Sequence, residues 1–397
     1  MKSLRCLFAF ALVFFVTTGC KDKGVNVADD GVTVIHVDLD KSEKVSISDI
    51  ISRIEIVELE GGVDSYVVAP RWFKVSNGKY YMDSRQTEAV YAFDSHGRLL
   101  FNTAKRQGNG RNEYLYLNGF NVDKNGCVDI YSVFSGFIRY DSLLNAVNCD
   151  ESLRYTGMIP ISDDVLGIVS ASDDSLTFRY YSTSLHKTIG TASKAMKRIQ
   201  ASQFVLSRLH TYMSNNKEFL YRTCKMSDYS VFRLNFEDNT ITEAYRYDLG
   251  KSTLKESFLS SINQSVGEYE KEIMRLLSNY NSIWDLHINN SFMVAVLGHR
   301  SGREPDIEKS FCLSFYSPET GKQRLIDCEM NDDKHLYGID QLDDGIIYTI
   351  VETSQMNNVD SMVDMDLLDD NSKDILKRKN DDTNAYIIKY YLREDIL

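Results

Sequence analysis

Residues that often carry out catalysis are present in this chain, but their spacing predicts no catalytic site. The chain contains neither His-Glu-x-x-His, which places zinc ligands and a base on one helix, nor Gly-x-Ser-x-Gly, which presents a nucleophilic serine on a sharp turn. The seven histidines stand singly along the chain, at His36, His96, His186, His210, His287, His299 and His335. These patterns predict no metal and no cofactor.

Paired carboxylates are a second arrangement that could carry out catalysis or bind a metal ion. Two carboxylates at a suitable separation hydrolyse glycosides, and several together bind Ca²⁺. The pairs in this chain are Asp163-Asp164, Asp173-Asp174, Asp332-Asp333 and Asp343-Asp344. Each pair falls in a turn-like stretch between apolar runs, where aspartate is common because it hydrogen-bonds nearby backbone. We interpret these pairs as turn residues, and hydrolysis or calcium binding is the alternative.

One glycine-containing segment, Arg106 to Tyr114, combines two arginines, a glutamate and a tyrosine. Gly108 and Gly110 permit backbone angles that other residues avoid, and Glu113 can accept hydrogen bonds from the amides of such a turn. The segment lacks the third glycine and the following helix of a nucleotide-binding loop. We therefore predict a connection between two structural units. The candidate ligand contacts, of which the arginines would bind an anionic group, are Arg106, Arg111, Glu113 and Tyr114.

The N-terminus predicts export and lipidation. Lys2 and Arg5 precede an apolar run over residues 7–16, which is too short for a transmembrane helix and is typical of a signal peptide. Gly19 before Cys20 resembles the bacterial lipobox, in which the cysteine is acylated, although Thr17 stands where that pattern usually has leucine. We predict a signal peptide over residues 1–19 and a membrane anchor at Cys20. An ordinary secreted protein with an incidental cysteine is the alternative.

Residues 20–48 are predicted to be the lipidated cysteine and a tether, followed by a folded domain over residues 49–397. The stretch from Lys21 to about Gly31 is polar and offers little to pack. Charged residues directly after Cys20 resemble the surface-export signal of Bacteroidota lipoproteins. We expect an outer-membrane lipoprotein that faces either the cell surface or the periplasm.

Charge and cysteine content exclude several classes of protein. The formal net charge is −12, and removal of the signal makes it two units more negative. A surface this acidic argues against nucleic acid, whose phosphates need clustered lysine and arginine. Five cysteines remain after the signal and the anchor, an odd number without a Cys-x-x-Cys pair: Cys127, Cys149, Cys224, Cys312 and Cys328. We predict buried free thiols rather than disulfides or a metal site.

The elements that must position any site are short strands. Apolar residues alternate in runs that are rich in Tyr, Phe, Val and Ile, and tight turns separate the runs. Asn77-Gly78 and Asn125-Gly126 both predict hairpins, because a type I′ turn needs positive φ at its two central residues. These turns are 48 residues apart, and the turns at Asp94 and Asp141 are 47 apart, so one period fits both. Weaker copies predict six units of about four strands.

Repeated four-stranded units at this period predict an all-β, six-bladed β-propeller. The strand at residues 53–59 would pair with the strand at residues 385–392, which completes the last blade and removes an exposed sheet edge. Two β-sandwiches in series are the alternative, but they would not explain the repeat. Two helical insertions are expected, at residues 255–280 and 357–379. The first is amphipathic and is expected to pack over one end of the ring or to act as a lid. The second is highly charged and is expected to be solvated or partly disordered.

The chain resembles the six-bladed β-propeller lipoproteins of Bacteroidota, a family largely without assigned function. The resemblance rests on the signal with Cys20, on the strand Arg53 to Glu60 and on the segment Arg106 to Tyr114. In the family, that segment usually reads Gly-x-Gly-Pro-Gly-Glu-Tyr. Gly108, Gly110, Glu113 and Tyr114 match, whereas Arg111-Asn112 stands in place of Pro-Gly. The resemblance implies the fold rather than a shared chemistry.

Two classes of function follow from these observations. The first is a non-catalytic binding or scaffold module on the cell envelope, which holds a protein or a glycan-like ligand with the loops at one end of the ring. The second is an enzyme, such as a glycan hydrolase or lyase, with its site in the central channel. We favour the binding module, because no catalytic constellation can be recognised.

Overall fold

The protein is an all-β propeller of six blades, and it carries a short helix in one blade. The computed structural model describes residues 25–27, 31–153, 158–162, 164–171, 175–195, 212–215, 218–222, 229–253, 281–288, 291–301, 308–330, 332, 334–336, 338–352, 355, 358–359, 361–378 and 384–397. These residues form six antiparallel blade sheets. The expected fold is therefore confirmed, and the predicted helical insertion at 255–280 lies outside the described residues.

Three strands precede the first complete blade: β1 (Val25–Val27), β2 (Thr33–His36) and β3 (Ile51–Glu58). Blade I consists of β4 (Phe73–Ser76), β5 (Lys79–Ser84), β6 (Ala89–Phe93) and β7 (Leu99–Asn102). Blade II consists of β8 (Gly119–Val122), β9 (Val128–Ser132), β10 (Gly136–Tyr140) and β11 (Ala146–Asp150). Blade III consists of β12 (Met158–Pro160), β13 (Val165–Ala171), β14 (Ser175–Ser182) and β15 (Lys187–Ala195).

Blade IV consists of β16 (Tyr212–Asn215), β17 (Glu218–Tyr221), β18 (Ser230–Asn235) and β19 (Thr240–Asp248). Blade V consists of β20 (Ser282–Ile288), β21 (Met293–Ser301), β22 (Glu308–Tyr316) and β23 (Gln323–Asp327). Blade VI consists of β24 (Gln341–Asp343), β25 (Ile346–Val351), β26 (Tyr386–Leu392) and β3. The first strands of neighbouring blades contact one another, so they are the inner strands and the fourth strands form the outer rim.

The chain termini close the ring as predicted. Ile388 of β26 lies opposite Ile56 of β3 in an antiparallel pair, so a strand from the start of the domain becomes the outer strand of the last blade. This pairing holds the ring together, because it joins the start of the domain to its last blade and leaves β26 without an unpaired edge.

Hydrophobic clusters fill the interfaces between successive blades. Tyr81 of blade I packs with Ile130 of blade II, and Met82 of blade I packs with Ile387 of blade VI. Four further clusters join blades II to III, III to IV, IV to V and V to VI in the described part of the chain. Each sheet is therefore buried on both faces, which explains why its strands are apolar on both sides.

The turns explain the repeat seen in the sequence. Asn77 and Gly78 have φ values of 50° and 70°, as a type I′ hairpin requires. One carboxylate oxygen of Asp94 accepts hydrogen bonds from the backbone N–H groups of residues 96 and 98, at 2.8 and 2.9 Å. Asp141 does the same for residues 143 and 145, at 2.9 and 2.8 Å. The period of 47 residues thus reflects the same aspartate-stabilised turn in two blades.

The predicted tether is folded over much of its length, which corrects its boundary at residue 48. β2 pairs in parallel with β19 at the rim of blade IV, and Ile35 and Leu39 are buried there. Further along, the Glu43 N–H donates to the Leu325 carbonyl of blade V, at 2.8 Å. The chain then enters β3 in blade VI. Residues 31–59 therefore form a strap, which covers the outer edges of three consecutive blades.

In the second predicted insertion the structure describes one α-helix among its described residues, α1 (Asp370–Arg378), and this helix is packed rather than merely solvated. Ile375 and the Ser372 side chain are buried against blade VI. The Ser372 hydroxyl accepts a 2.7 Å hydrogen bond from the Ile56 N–H, which points outward from β3. The helix was expected to be solvated because of its charge, but its apolar side covers the edge of the closing strand.

Candidate functional site

Strand order divides the loops between the two ends of the propeller. The loops that join second to third strands and successive blades emerge at one end, which we call the connector end. The tight turns that join first to second and third to fourth strands emerge at the other, the turn end. Longer connections thus gather at the connector end, where binding residues of propellers have room to vary.

The predicted segment Arg106 to Tyr114 is the connector between blades I and II. The Gly108 N–H donates to the Tyr114 carbonyl at 3.1 Å, and the Tyr114 N–H donates to the Arg106 carbonyl at 3.0 Å. Gln107 also donates from Nε2 to the Glu88 carbonyl at 2.8 Å, which ties the connector to a neighbouring loop of blade I. The segment is therefore a closed loop held at its base.

Glu113 explains the glycines in this loop. Its Oε2 accepts a 2.8 Å hydrogen bond from the Gly110 N–H. A Cβ atom would lie 2.1 Å from Oε2 if placed on Gly108, and 2.9 Å from it if placed on Gly110. Both positions must therefore lack a side chain for the carboxylate to fold inside the loop. The arrangement stabilises the loop, as the sequence pattern predicts.

Tyr114 is buried and does not present its side chain to a ligand, which corrects its assignment as a candidate contact. Its hydroxyl shares a 2.6 Å hydrogen bond with Thr103 Oγ1. Burial raises the pKa of the Tyr114 hydroxyl to about 12. The motif could not reveal this, because the same residue type serves in cores and in binding sites.

The two candidate arginines differ in exposure. Arg111 is exposed at the tip of the loop. Arg106 is half-buried, and its guanidinium carbon lies 6.0 Å from the centroid of the Tyr140 ring. The Tyr140 hydroxyl donates to the Asn112 carbonyl at 2.7 Å, so the loop rests on blade II. Anion binding by the two arginines stays a prediction, with Arg111 the better placed.

An apolar patch lies next to this loop and was not predicted. Leu115 and Tyr116 follow the loop directly, and Phe134 lies in the loop between β9 and β10; their exposures are 49%, 38% and 58%. The Leu115 N–H donates to Ser135 Oγ at 3.1 Å, which joins the two loops. We call Leu115, Tyr116 and Phe134 the connector patch. Large apolar side chains exposed on adjoining loops are typical of binding surfaces.

Trp284 is a further exposed aromatic residue near the connector end. It is the third residue of inner strand β20 and occupies a β-bulge, with 44% of its surface exposed. Its ring lies edge-on to Phe311, with centroids 5.3 Å apart. A Cβ atom on Gly298 would lie 2.2 Å from the indole nitrogen, so the absence of a side chain there makes room for the tryptophan.

Several ionisable side chains of the blades and the strap pair with one another and have structural roles. Arg139 donates from Nε to one oxygen of the buried Asp129 at 2.6 Å, and from Nη2 to the other at 2.9 Å. Histidines also pair with single aspartates: His36 Nδ1 lies 2.9 Å from an oxygen of Asp248. Similar pairs at 3.3 and 3.5 Å are His287 with Asp285 and His186 with Asp150.

The acidic pairs are partly described. Asp164 accepts hydrogen bonds from the hydroxyls of Ser182 and Thr183, at 2.7 and 3.0 Å, and these lower its pKa to about 2. Asp344 has a φ of 42° in the turn of the last blade. Asp164 and Asp344 thus have the turn roles that were expected, whereas Asp332 accepts the Ile47 N–H at 3.0 Å and Asp343 ends β24. Four acidic residues lie outside the described residues, namely Asp163, Asp173, Asp174 and Asp333.

A cavity of about 560 Å³ lies between α1, β3 and the turn at Ser95 and His96. Its charged lining is internally paired. Lys389 Nζ lies 3.2 Å from an oxygen of Glu55, and the Tyr391 hydroxyl donates to the same oxygen at 2.7 Å. This lining stabilises the joint between blade VI and its helix.

Within the described ranges, no three His, Cys, Asp or Glu side chains lie close enough together to hold a metal ion. The cysteines described are free thiols: Cys312 and Cys328 are buried, whereas Cys127 and Cys149 are half-buried. Burial raises the pKa of each of these thiols. Cys224 lies outside the described residues. No helix of the described chain is both long and apolar enough to cross a membrane.

A family model and one solved structure agree with this architecture. A family model described as a 6-bladed beta-propeller, DUF5128, matches residues 25–338. No curated protein matches the chain. A crystal structure of a Bacteroides fragilis protein described as exported is similar with a TM-score of 0.69 and 14% identity, over 91% of this chain and all (100%) of that one. A DUF4221 member from Bacteroides vulgatus has a TM-score of 0.48 and 10% identity, over 86% of this chain and 98% of that one. Since the family model spans most of the sequence and six blades are observed, the chain belongs to the DUF5128 family of six-bladed β-propellers.

Proposed function

We propose that this protein is an exported lipoprotein, anchored through an acylated Cys20, whose connector end binds another protein. The connector patch carries this proposal. Leu115, Tyr116 and Phe134 expose apolar surface on two loops that are fastened to each other by the hydrogen bond from the Leu115 N–H to Ser135. Exposed apolar side chains on a fixed backbone are suited to binding because little conformational entropy is lost on contact.

Export is supported by the signal sequence and the Gly19-Cys20 junction. The similarity to a protein described as exported is consistent with it. Each acyl methylene group that is buried in the bilayer contributes about 0.8 kcal/mol to membrane binding. Several acyl chains on one cysteine would therefore hold the protein firmly at a membrane.

A protein partner fits the patch better than a glycan. Sugar sites combine aromatic rings with hydrogen-bonding groups that read the hydroxyls, because buried polar groups need partners. Leu115 and Phe134 offer no side-chain donor or acceptor, so the Tyr116 hydroxyl is the one polar side-chain group among the three residues of the patch. Aromatic residues flanked by aliphatic ones are typical centres of protein interfaces.

Photocrosslinking in intact cells tests the proposal. A photoreactive phenylalanine analogue replaces Phe134, and in a matched control it replaces Leu143, which is 79% exposed in a turn-end loop of the same blade. Position 134 should give a discrete protein adduct that position 143 does not give, and Tyr116→Ala should reduce its yield several-fold. Identical adducts at both positions would overturn the proposal. Binding to a glycan array that Phe134→Ala abolishes, without any protein adduct, would replace the protein with a glycan.

A further inference from the structure

The position of the strap restricts how a propeller anchored at its N-terminus can be oriented on a membrane. The strand that precedes the strap, β1, pairs antiparallel with β2, the first strand of the strap, so that Val25 lies opposite Ile35. β2 in turn pairs with β19, and the Val37 N–H donates to the Asp248 carbonyl at 2.8 Å. The start of the described chain is thus a strand at the outermost edge of blade IV, beside the end of β19 that leads to the connector end.

The distance from the anchor to this edge is short. Cys20 precedes Val25 by five residues. A fully extended chain gains at most about 3.6 Å per residue, so these residues span no more than about 18 Å. A domain of this length measures on the order of 50 Å across. The tether is therefore much shorter than the propeller, which cannot turn freely above the lipid surface.

The strap also resists being pulled away from the rim. At blade V, the Glu43 N–H donates to the Leu325 carbonyl at 2.8 Å, and the Asp327 N–H donates to the Glu43 carbonyl at 2.9 Å. Ile35 and Leu39 of the strap are themselves buried against the rim. Detaching the strap would expose these apolar side chains and break the backbone pairs, so the attachment point at blade IV is fixed.

We propose that the outer edge of blade IV faces the membrane and that blade I, three positions away in the ring of six, points away from it. This inference rests on the proposed lipid anchor at Cys20. The partner of the blade IV edge is a bilayer surface. Lys251 is exposed in the 3₁₀ turn (Gly250–Ser252) directly after β19. A lysine near anionic headgroups favours this orientation because its positive charge is attracted to the negative surface potential.

The chain offers a matched pair of positions for a test. Lys251 lies in a 3₁₀ turn after the outer strand of blade IV, and Lys105 lies in a 3₁₀ turn (Ala104–Arg106) after the outer strand of blade I. Both side chains are exposed. A fluorescent amino acid is introduced at one position or the other in the lipidated full-length protein. The labelled protein is reconstituted into vesicles whose phospholipids carry a quencher on the headgroup.

Quenching at position 251 should exceed quenching at position 105 several-fold. A flexible insertion of about 20 residues between Gly24 and Val25 should make the two equal, because it removes the length restraint. Equal quenching in the membrane-bound protein without the insertion would overturn the orientation while leaving the anchor intact. The lipid anchor is tested separately with Cys20→Ser. If this substitution leaves the membrane-bound fraction unchanged, Cys20 is not the anchor.

Discussion

Arg71 and Asp83 form a two-point contact at the entrance of blade I. The backbone N–H of Arg71 donates to Oδ1 of Asp83 at 2.7 Å, and its Nε donates to Oδ2 at 2.7 Å. The Trp72 N–H donates to Oδ1 as well, at 2.8 Å. The Asp83 side chain is fully buried, so its carboxylate has exchanged water for protein donors. The contact joins the connector that follows the closing strand to the second strand of blade I.

We expect Asp83→Asn to lower the free energy of unfolding by about 3 kcal/mol, because it removes the buried carboxylate that pairs with Arg71 and leaves the partly buried guanidinium with its second ion pair, to Glu88. Equilibrium denaturation in urea measures the change. Asp366→Asn is the control, since Asp366 is exposed and its substitution should cost less than about 0.5 kcal/mol. Equal effects of the two substitutions would contradict a structural role for the buried pair.

Asn384, two residues before β26, connects that strand to the same connector. Its Nδ2 donates to the carbonyls of Glu60 and Ser65, at 2.9 and 2.6 Å, and its Oδ1 accepts the Val67 N–H at 3.0 Å. Asn384→Ala should cost about 2 to 4 kcal/mol, because it leaves buried backbone groups without partners. Thermal denaturation measures the loss, and hydrogen exchange at the Val67 amide localises it. Asn358→Ala, at an exposed position, should change neither.

The fold could be predicted because its determinants are local. Asn77-Gly78 fixes a hairpin through positive φ, and Asp94 and Asp141 each stabilise a turn within five residues of chain. Closure also followed from the sequence, because an apolar strand at each end of a propeller needs a partner. These features are repeated, so each copy supported the interpretation of the others.

The strap and the connector patch could not be predicted, because both depend on distant contacts. Ile35, Val37 and Leu39 alternate with His36 and Asp38, but the edge strand that this segment pairs with, β19, lies about 210 residues further along the chain. Phenylalanine is a residue type that is usually buried in the core, and Phe134 is exposed because it lies in the loop between two strands. In the loop of residues 106–114 the motif identified the connection correctly, but it could not distinguish the buried Tyr114 from the exposed Arg111.

Deletion of residues 53–59 should open the ring. Without β3, the outward-facing N–H and carbonyl groups of β26 lose their partners from Ile54 and Ile56. The variant should aggregate or become sensitive to protease at blade VI, because an unpaired apolar strand recruits other chains. Size-exclusion chromatography and limited proteolysis measure these effects. Deletion of residues 25–27 is the control, because it leaves β2 over the edge of blade IV. An unchanged melting temperature of the first variant would contradict closure by β3.

Asp164 should make the turn of blade III sensitive to acid. The Ser182 hydroxyl and neighbouring donors lower its pKa to about 2, below the ordinary value of 3.8. A depressed pKa in the folded state stabilises the protein above pH 4 or so, and this contribution is lost as the pH falls towards about 2. Asp164→Asn should thus lower the free energy of unfolding, and with it the melting temperature, most at neutral pH; the loss should stay within about 1 kcal/mol because solvent screens the charge. A melting-temperature difference that stays constant between neutral pH and about pH 3 would refute this role.

Arg106 and Arg111 should contribute to partner binding without supporting the fold. The loop is held by the backbone pair between Gly108 and Tyr114 and by the contact of Glu113 with Gly110, so its shape does not depend on either guanidinium. Substitution of both arginines by alanine should therefore cost no more than about 0.5 kcal/mol each.

If an acidic group of the partner meets this loop, the double alanine variant should give several-fold less adduct with the photoreactive residue at position 134, and the remaining adduct should depend less on salt. Arg98→Ala is the matched control, because Arg98 is exposed in a turn-end loop of blade I. Its adduct yield should equal that of the parent protein. A double variant that crosslinks as well as the parent, while Tyr116→Ala does not, would confine the partner to the connector patch. Both arginines would then be excluded from the binding surface, because a charge that contacts a partner changes the encounter rate and its salt dependence even where it adds little affinity.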